Sequence, residues 1–251
     1  MTGKSGAEAS APTAPIVAET QNLGDVAYAE IKSRIIDGRI AGGSAVSEAE
    51  LALALGLGKA PVRAALARLA QDGLVASVAR RGWRIAPITL ADVLDVFRLR
   101  RQLEPMAARL ATERGVDSVL LKRLDVGCKA GYTPGDAASQ RAFLAANRAF
   151  HLAIAEAASS PRLLRVLSSL LDEAERALLL GLALRDRSDE IQHEHQSLID
   201  AMAAGDAATA EEIVIEQIDE ARDMVVAALM ASPSVLGAEI APAGAATAKR
   251  R

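Results

Sequence analysis

Apolar residues in the first part of the chain recur at helical spacing in short bursts punctuated by glycine. Val26, Ala27, Ile31, Ile35 and Ile36 mark a first amphipathic helix, which Gly38 stops. Residues 41–44, Ala-Gly-Gly-Ser, read as a loop. Ser47-Glu48-Ala49-Glu50 then fits a capping box and predicts a second helix from about Ser47 to Leu55. Gly56-Leu57-Gly58 is a three-residue turn whose glycines are expected at positive φ. Pro61 suits the first turn of a third helix, Ala60 to Asp72, where Val62, Ala65, Leu66 and Leu69 form one stripe. The other face carries Ala60, Ala64, Ala67 and Gln71, flanked by Arg63 and Arg68. Small residues edged by arginine let a helix approach another surface closely. The period then becomes β-compatible: Leu74–Val78 and Trp83–Ile85 flank Ala79-Arg80-Arg81-Gly82 and read as a hairpin with a basic tip. Two helices at a tight turn followed by such a hairpin make a winged helix-turn-helix.

Residues 86–89 serve as a linker, because Pro87 holds Ala86 extended. From Leu90 to about Ala231 the pattern is helical, broken at residues 115–117, 131–135, 159–161, near Arg187-Ser188 and at Gly205-Asp206. Six helices joined by short loops predict an antiparallel bundle. The expected fold class is mainly α: an N-terminal winged helix-turn-helix over residues 23–88 and a C-terminal all-α helical bundle over residues 89–231. Residues 1–22, rich in Ala, Ser, Thr and Pro, are expected to be disordered. Residues 232–251 are expected to form a flexible tail ending in the solvated triplet Lys249-Arg250-Arg251.

Composition narrows the class. With 51% apolar residues but only 2% aromatic ones, the core is built from Leu, Ala, Ile and Val. The longest apolar stretch, Ala177 to Leu184, is far shorter than the roughly 20 residues of a membrane-spanning helix. No secretory signal is visible near the start, and the single Cys128 excludes an intrachain disulfide, so the expected location is the cytoplasm, with no membrane partner. The net charge of −3 hides an asymmetry: residues 58–84 hold Lys59, Arg63, Arg68, Arg80, Arg81 and Arg84 against Asp72 alone. Residues 89–248 carry sixteen basic and twenty-four acidic side chains. A local basic patch of this kind attracts phosphates even on an acidic protein.

In a helix-turn-helix the second helix lies in the major groove, reads base edges near its start and is positioned by phosphates. Lys59, Ala60 and Arg63 therefore form the candidate reading end, since arginine pairs bidentately with guanine. Arg80 and Arg81 can reach a phosphate or the minor groove from the wing, with Gly82 permitting close backbone approach, and the helix N-terminus adds amide donors for a phosphate. Taken singly, each cation is an ordinary surface charge; their order along turn, helix and hairpin makes the case.

The segment from Ser47 to Val75, with Arg81-Gly82 beyond it, resembles the DNA-binding domain of GntR-family bacterial transcription regulators. In that family the Pro61-Val62-Arg63 element starts the recognition helix and Arg81-Gly82 marks the wing, which implies DNA contact by Lys59, Arg63 and Arg81. Gly58 stands where the family commonly has Ser or Thr, Lys59 where it has Arg, and Gly42 where it has Pro. Losing the hydroxyl removes one phosphate contact, and lysine lacks the fork of arginine.

In the second half, Asn147 and His151 share one helix face at i and i+4, and His195 lies on a later helix able to face them. Two imidazoles from different helices can bind a metal, or can be hydrogen-bonded pocket or core histidines; both readings stand. His193, two residues from His195, points elsewhere and reads as surface. The motifs Leu99-Arg100-Arg101-Gln102-Leu103-Glu104-Pro105, Asn147-Arg-Ala-Phe-His151, Glu194-His195 and Ala204-Gly205-Asp206 resemble the FCD type of ligand-binding domain, the fatty-acid-regulator branch of the same family. That resemblance implies a metal site, zinc or nickel, held here by Asn147, His151 and His195. Gln217 stands where a further His is expected, and neutral amide oxygens weaken such a site. It also implies an effector pocket of Arg100, Asn147, His151, His195 and Gln217, with Arg100 taking a carboxylate.

The functional expectation is a homodimeric repressor that reads an inverted repeat in double-stranded DNA and is released by a small carboxylic-acid effector. The competing expectations are a metal-dependent hydrolase fused to a DNA-binding head, for which no catalytic motif is present, and a protein adaptor that has lost DNA binding.

Overall fold

The computed structural model describes residues 22–79, 82–184 and 194–231. The expectations for residues 1–21 and 232–251, for Arg80 and Arg81, for the break near Arg187-Ser188 and for His193 lie outside the described residues.

Helix α1 (Leu23–Ile36) starts at Asn22, whose side chain accepts from the Gly24 amide. Strand β1 (Ala45–Val46) follows, then α2 (Glu48–Leu55), opened by the capping box: Ser47 accepts from the Glu50 amide while the Glu50 carboxylate accepts from the Ser47 amide. Gly56 ends α2 in the left-handed region at φ 64°. Helix α3 spans Lys59–Gln71, one residue earlier at each end than its apolar stripe suggests. Its stripe closes against α1 around Ile31, Leu66 and Leu69, all fully buried.

Strands β2 (Val75–Val78) and β3 (Gly82–Ile85) form the expected antiparallel hairpin, but the sheet has three strands in the order β1-β3-β2. The two residues between the expected loop 41–44 and α2 supply the extra strand, pairing Ala45 with Arg84 and Val46 with Trp83. Two residues are too few to show alternation, so this strand exists only through its long-range partner.

The bundle comprises α4 (Leu90–Arg114), α5 (Ser118–Lys129), α6 (Ala137–Ala157), α7 (Pro161–Leu184), α8 (Glu194–Ala204) and α9 (Ala207–Ala231). Thr89 and Asp92 cap α4 reciprocally, and Asp117 and Asp136 cap α5 and α6. Helix α4 lies along α9 and crosses α6 and α7, so the start of the bundle packs on its end. Its core is almost wholly aliphatic, and Phe97 and Phe150 are the large fully buried aromatic side chains among the described residues. The two halves touch where α1 meets α7. No helix among the described residues is long and apolar enough to cross a membrane.

Candidate functional site

The outward face of α3 is open. Lys59, Ala60, Ala64, Ala67 and Gln71 are exposed, and Arg63 is 67% exposed. Arg68 is turned back onto α1, where it pairs with Asp25 and lies 4.1 Å from the Tyr28 ring centroid, so it braces the head instead of projecting from it. Gly82 has φ 85°, and a Cβ there would sit 3.0 Å from the Val46 carbonyl oxygen. The approach of β1 therefore demands glycine at this position whatever the wing touches.

Arg63 is held from the side. Its Nε lies 3.0 Å from both carboxylate oxygens of Glu48 and its Nη2 2.7 Å from Oε2. These hydrogen bonds hold the Glu48 carboxyl below the usual carboxylate range, helped by the nearby Trp83 indole and by the charge of Lys59. No sequence signal singled out Glu48, which stands fifteen residues from its partner.

Gly58 differs from its expected conformation. It is the N-cap of α3, at φ −72° and ψ 161°, with no side-chain hydrogen bond to the helix. An added Cβ would meet only Pro61 Cδ at 3.7 Å. Serine fits this backbone and can cap α3, while also restricting the unfolded chain. Gly58→Ser is expected to stabilise the protein by about 0.5–1 kcal/mol, raising the melting temperature by roughly 1–4 °C in a thermal melt. An unchanged or lowered melting temperature would show that the cap does not form.

The bundle encloses a second constellation. Arg100, Asn147, His151, His195 and Gln217 line one cavity together with apolar side chains from α6, α7 and α9. The volume open to the centre of a water molecule is about 50 Å3, enough for roughly three to five water-sized groups. All five residues expected from the sequence thus meet at one place, drawn from α4, α6, α8 and α9.

Arg100 is 3% exposed; its Nε donates to Glu104 Oε1 at 2.5 Å, and its buried Nη1 has no hydrogen-bond partner. Glu104 also pairs with His151 Nδ1 at 3.2 Å. Burial opposes ionisation of Glu104, but the charge of Arg100 and the hydrogen bond of His151 override it and hold the carboxyl at about 2. His195 is oriented likewise: Nδ1 lies 3.0 Å from Asp125 Oδ1, and the Phe150 ring stacks on the imidazole at 4.0 Å.

The donor chemistry fits a metal in part. A carboxylate at Nδ1 favours the tautomer with its proton there, leaving Nε2 as the nitrogen each ring can offer a ligand. The two rings meet edge to face, with centroids 5.4 Å apart. Asn147 and Gln217 offer only neutral amide oxygens, the donors zinc and nickel prefer least. Asp125, Cys128 and His195 also form a buried group whose donor atoms lie within 4.8 Å of one another. Asp125 already faces the Lys129 ammonium at 3.0 Å, so its charge is balanced within the protein.

Helix α6 connects this cavity to the head. Asn147 and His151 line the cavity, whereas the neighbouring Arg148 reaches Asp172 of α7, Nη2 to Oδ1 at 2.6 Å. The other oxygen of Asp172 lies 2.5 Å from Lys32 Nζ on α1. Arg176 Nη2 donates to the Ala86 carbonyl in the connector at 2.7 Å. Glu104, Asp125 and Asp172 are the organising residues that sequence reasoning missed.

Comparison with known proteins bears on both constellations. Residues 23–85 match the family described as "Bacterial regulatory proteins, gntR family", and residues 95–220 match the FCD domain. The chain is 30% identical over 189 residues to a probable D-xylose utilization operon transcriptional repressor of Paenarthrobacter nicotinovorans, covering 75% of this chain and 82% of that protein. It is 30% identical over 208 residues to the HTH-type transcriptional repressor GlaR of Escherichia coli strain K12, covering 76% of this chain and 90% of that protein. In fold it is similar to McbR/YncC of E. coli, with a TM-score of 0.71 at 21% identity over 82% of this chain and 98% of the other.

Proposed function

The chain belongs to the GntR family of bacterial regulatory proteins and carries an FCD domain behind its helix-turn-helix head; from that membership we propose that it is a cytoplasmic homodimeric repressor, not an enzyme, released from DNA by a small carboxylic acid. The observation that carries the reading is the open Lys59–Ala60–Arg63 end of α3. Lys59 and Arg63 meet bases and phosphates in the major groove, Arg80, Arg81 and Gly82 lie along the backbone, and two heads read an inverted repeat.

The effector enters the bundle cavity. Its carboxylate meets the buried Nη1 of Arg100, an orphaned donor that an anion satisfies. Asn147, His151, His195 and Gln217 bind its polar groups, and the cavity size restricts it to a few heavy atoms. A divalent metal, zinc or nickel, would be held by Asn147, His151 and His195 and would supply a Lewis-acid anchor for the acid. The effector acts on DNA binding only if it distinguishes two arrangements of head and bundle. The ion pairs from Arg148 through Asp172 to Lys32 join the cavity helix to α1 and supply the coupling route.

The reading is tested by enriching duplexes from a randomised 30-bp pool with the full chain and titrating the winner by anisotropy across salt. Arg63→Ala is expected to weaken binding to the enriched duplex by about 1–3 kcal/mol, roughly fivefold to 150-fold, with a smaller loss on a shuffled duplex. Failure of the wild-type chain to enrich any sequence would overturn the reading.

A further inference from the structure

We propose that Glu48 is a positioning and specificity-determining residue of the DNA-reading surface: its carboxylate grips the side edge of the Arg63 guanidinium and leaves the end-on edge set for a guanine. The inference rests on the DNA-binding reading above and assigns it a residue outside the expected contact set.

A guanidinium has five N–H donors. Glu48 takes the Nε–H, shared between its two oxygens at 3.0 Å each, and one N–H of Nη2 at 2.7 Å. The remaining Nη2–H and the two donors of Nη1 form the end-on edge, and that fork matches guanine O6 and N7. The carboxylate therefore does not cancel Arg63 as a reader. It turns a side chain that is 67% exposed into one fixed about its long axis, so that less freedom is lost on binding.

Glu48 faces more than Arg63. The Trp83 indole lies near the same carboxylate, and Trp83 pairs with Val46 in the sheet that carries the wing. One acidic side chain thus stands between the reading helix and β3. Its sign matters as well. Among the cations of residues 58–84, a carboxylate repels phosphates and lowers the sequence-independent part of the affinity, while the fork it orients raises the sequence-dependent part. An ordinary first-turn acid in an exposed ion pair would do neither; its removal would change stability slightly and leave discrimination alone.

The experiment compares wild type, Glu48→Gln, Glu48→Asp, Arg63→Ala and the Glu48→Gln/Arg63→Ala double variant as full-length proteins. The probes are the duplex that wild type enriches from a randomised 30-bp pool and a shuffled duplex of the same composition. In Glu48→Gln the ratio of the two affinities is expected to fall about tenfold, with shuffled-duplex binding equal or tighter and its salt dependence steeper by about one released counterion. Glu48→Asp keeps the charge on a shorter arm and should retain the weak shuffled-duplex binding while losing part of the ratio. Because Glu48 acts through Arg63, the double variant should discriminate no worse than Arg63→Ala. A ratio within twofold of wild type in Glu48→Gln, or losses that multiply in the double variant, would overturn the assignment. A wild-type chain that enriches no duplex would instead sink the DNA-binding reading on which it rests.

Discussion

Glu104→Ala is expected to destabilise the protein by about 3–5 kcal/mol and to remove effector binding with it. The side chain is 6% exposed and sits between Arg100 at 2.5 Å and His151 at 3.2 Å, so truncation leaves a buried guanidinium without its counterion and an imidazole without its orienting acceptor. Removing one partner of such a pair costs far more than the pair contributes, because the desolvation of the survivor is no longer offset. In a protein of this size the loss corresponds to a fall in melting temperature of roughly 6–20 °C. An Arg100→Met/Glu104→Leu double variant, which takes both charges away, should recover much of the stability while leaving no carboxylate site. That contrast separates a structural ion pair from a binding site built on one. A loss of less than 1 kcal/mol in Glu104→Ala would show that the pair is solvated in the working protein, and a double variant no more stable than Glu104→Ala would show that the pair itself holds the fold.

The same pair sets the acid limit. A carboxyl held at about 2, against its ordinary value of 4.5, stabilises the fold above pH 4.5 and loses that contribution as pH falls toward 2. Protonation of Glu104 would also free Arg100 from its internal partner, so acid unfolding and loss of the cavity should coincide.

Why some of this was legible in the sequence and some was not follows from the range of each interaction. The helix-turn-helix was readable because its signals are local: the capping box at Ser47 and Glu50, the left-handed Gly56 and Pro61 in the first turn of α3 all act within four residues. The strand at Ala45–Val46 was not, since its partner is Arg84, and neither was the grip of Glu48 on Arg63. The five nominated residues line one cavity, yet the acids that orient them were passed over because a charge on a helix usually faces water. A signal existed. Val93, Phe97, Arg100, Glu104, Ala108 and Ala111 follow one buried stripe of α4, and Leu121, Asp125 and Cys128 do the same on α5. An acid in register with an apolar stripe is a buried acid, and a buried acid needs a partner.

Glu175 carries the second large expectation, with the opposite sign. Burial pushes its carboxyl up to about 7, reinforced by Asp172 and Asp37 and opposed by Arg148, whose Nε lies 3.8 Å away. A folded value above the ordinary 4.5 means that stability from the neutral form is complete below pH 4.5 and is lost as pH rises through 7. A rise of this size corresponds to an upper bound on the order of 3 kcal/mol. Glu175→Gln keeps the shape and removes the titration, so the variant should melt at nearly the same temperature at pH 5 and pH 8, whereas wild type falls by several degrees over that range. Parallel wild-type and variant curves would mean that Glu175 titrates as an ordinary surface acid. The location gives the shift a consequence for regulation. Glu175 lies beside the Arg148–Asp172–Lys32 ion pairs that join the cavity helix to the head, and a second negative charge there competes with Asp172 for Arg148. Ionisation above neutral pH sets this charge against Asp37 at the end of α1 and therefore weakens the contact of α7 with the head in the coupling route itself. Any effector response should weaken from pH 6 to pH 8 in wild type and hold steady in Glu175→Gln.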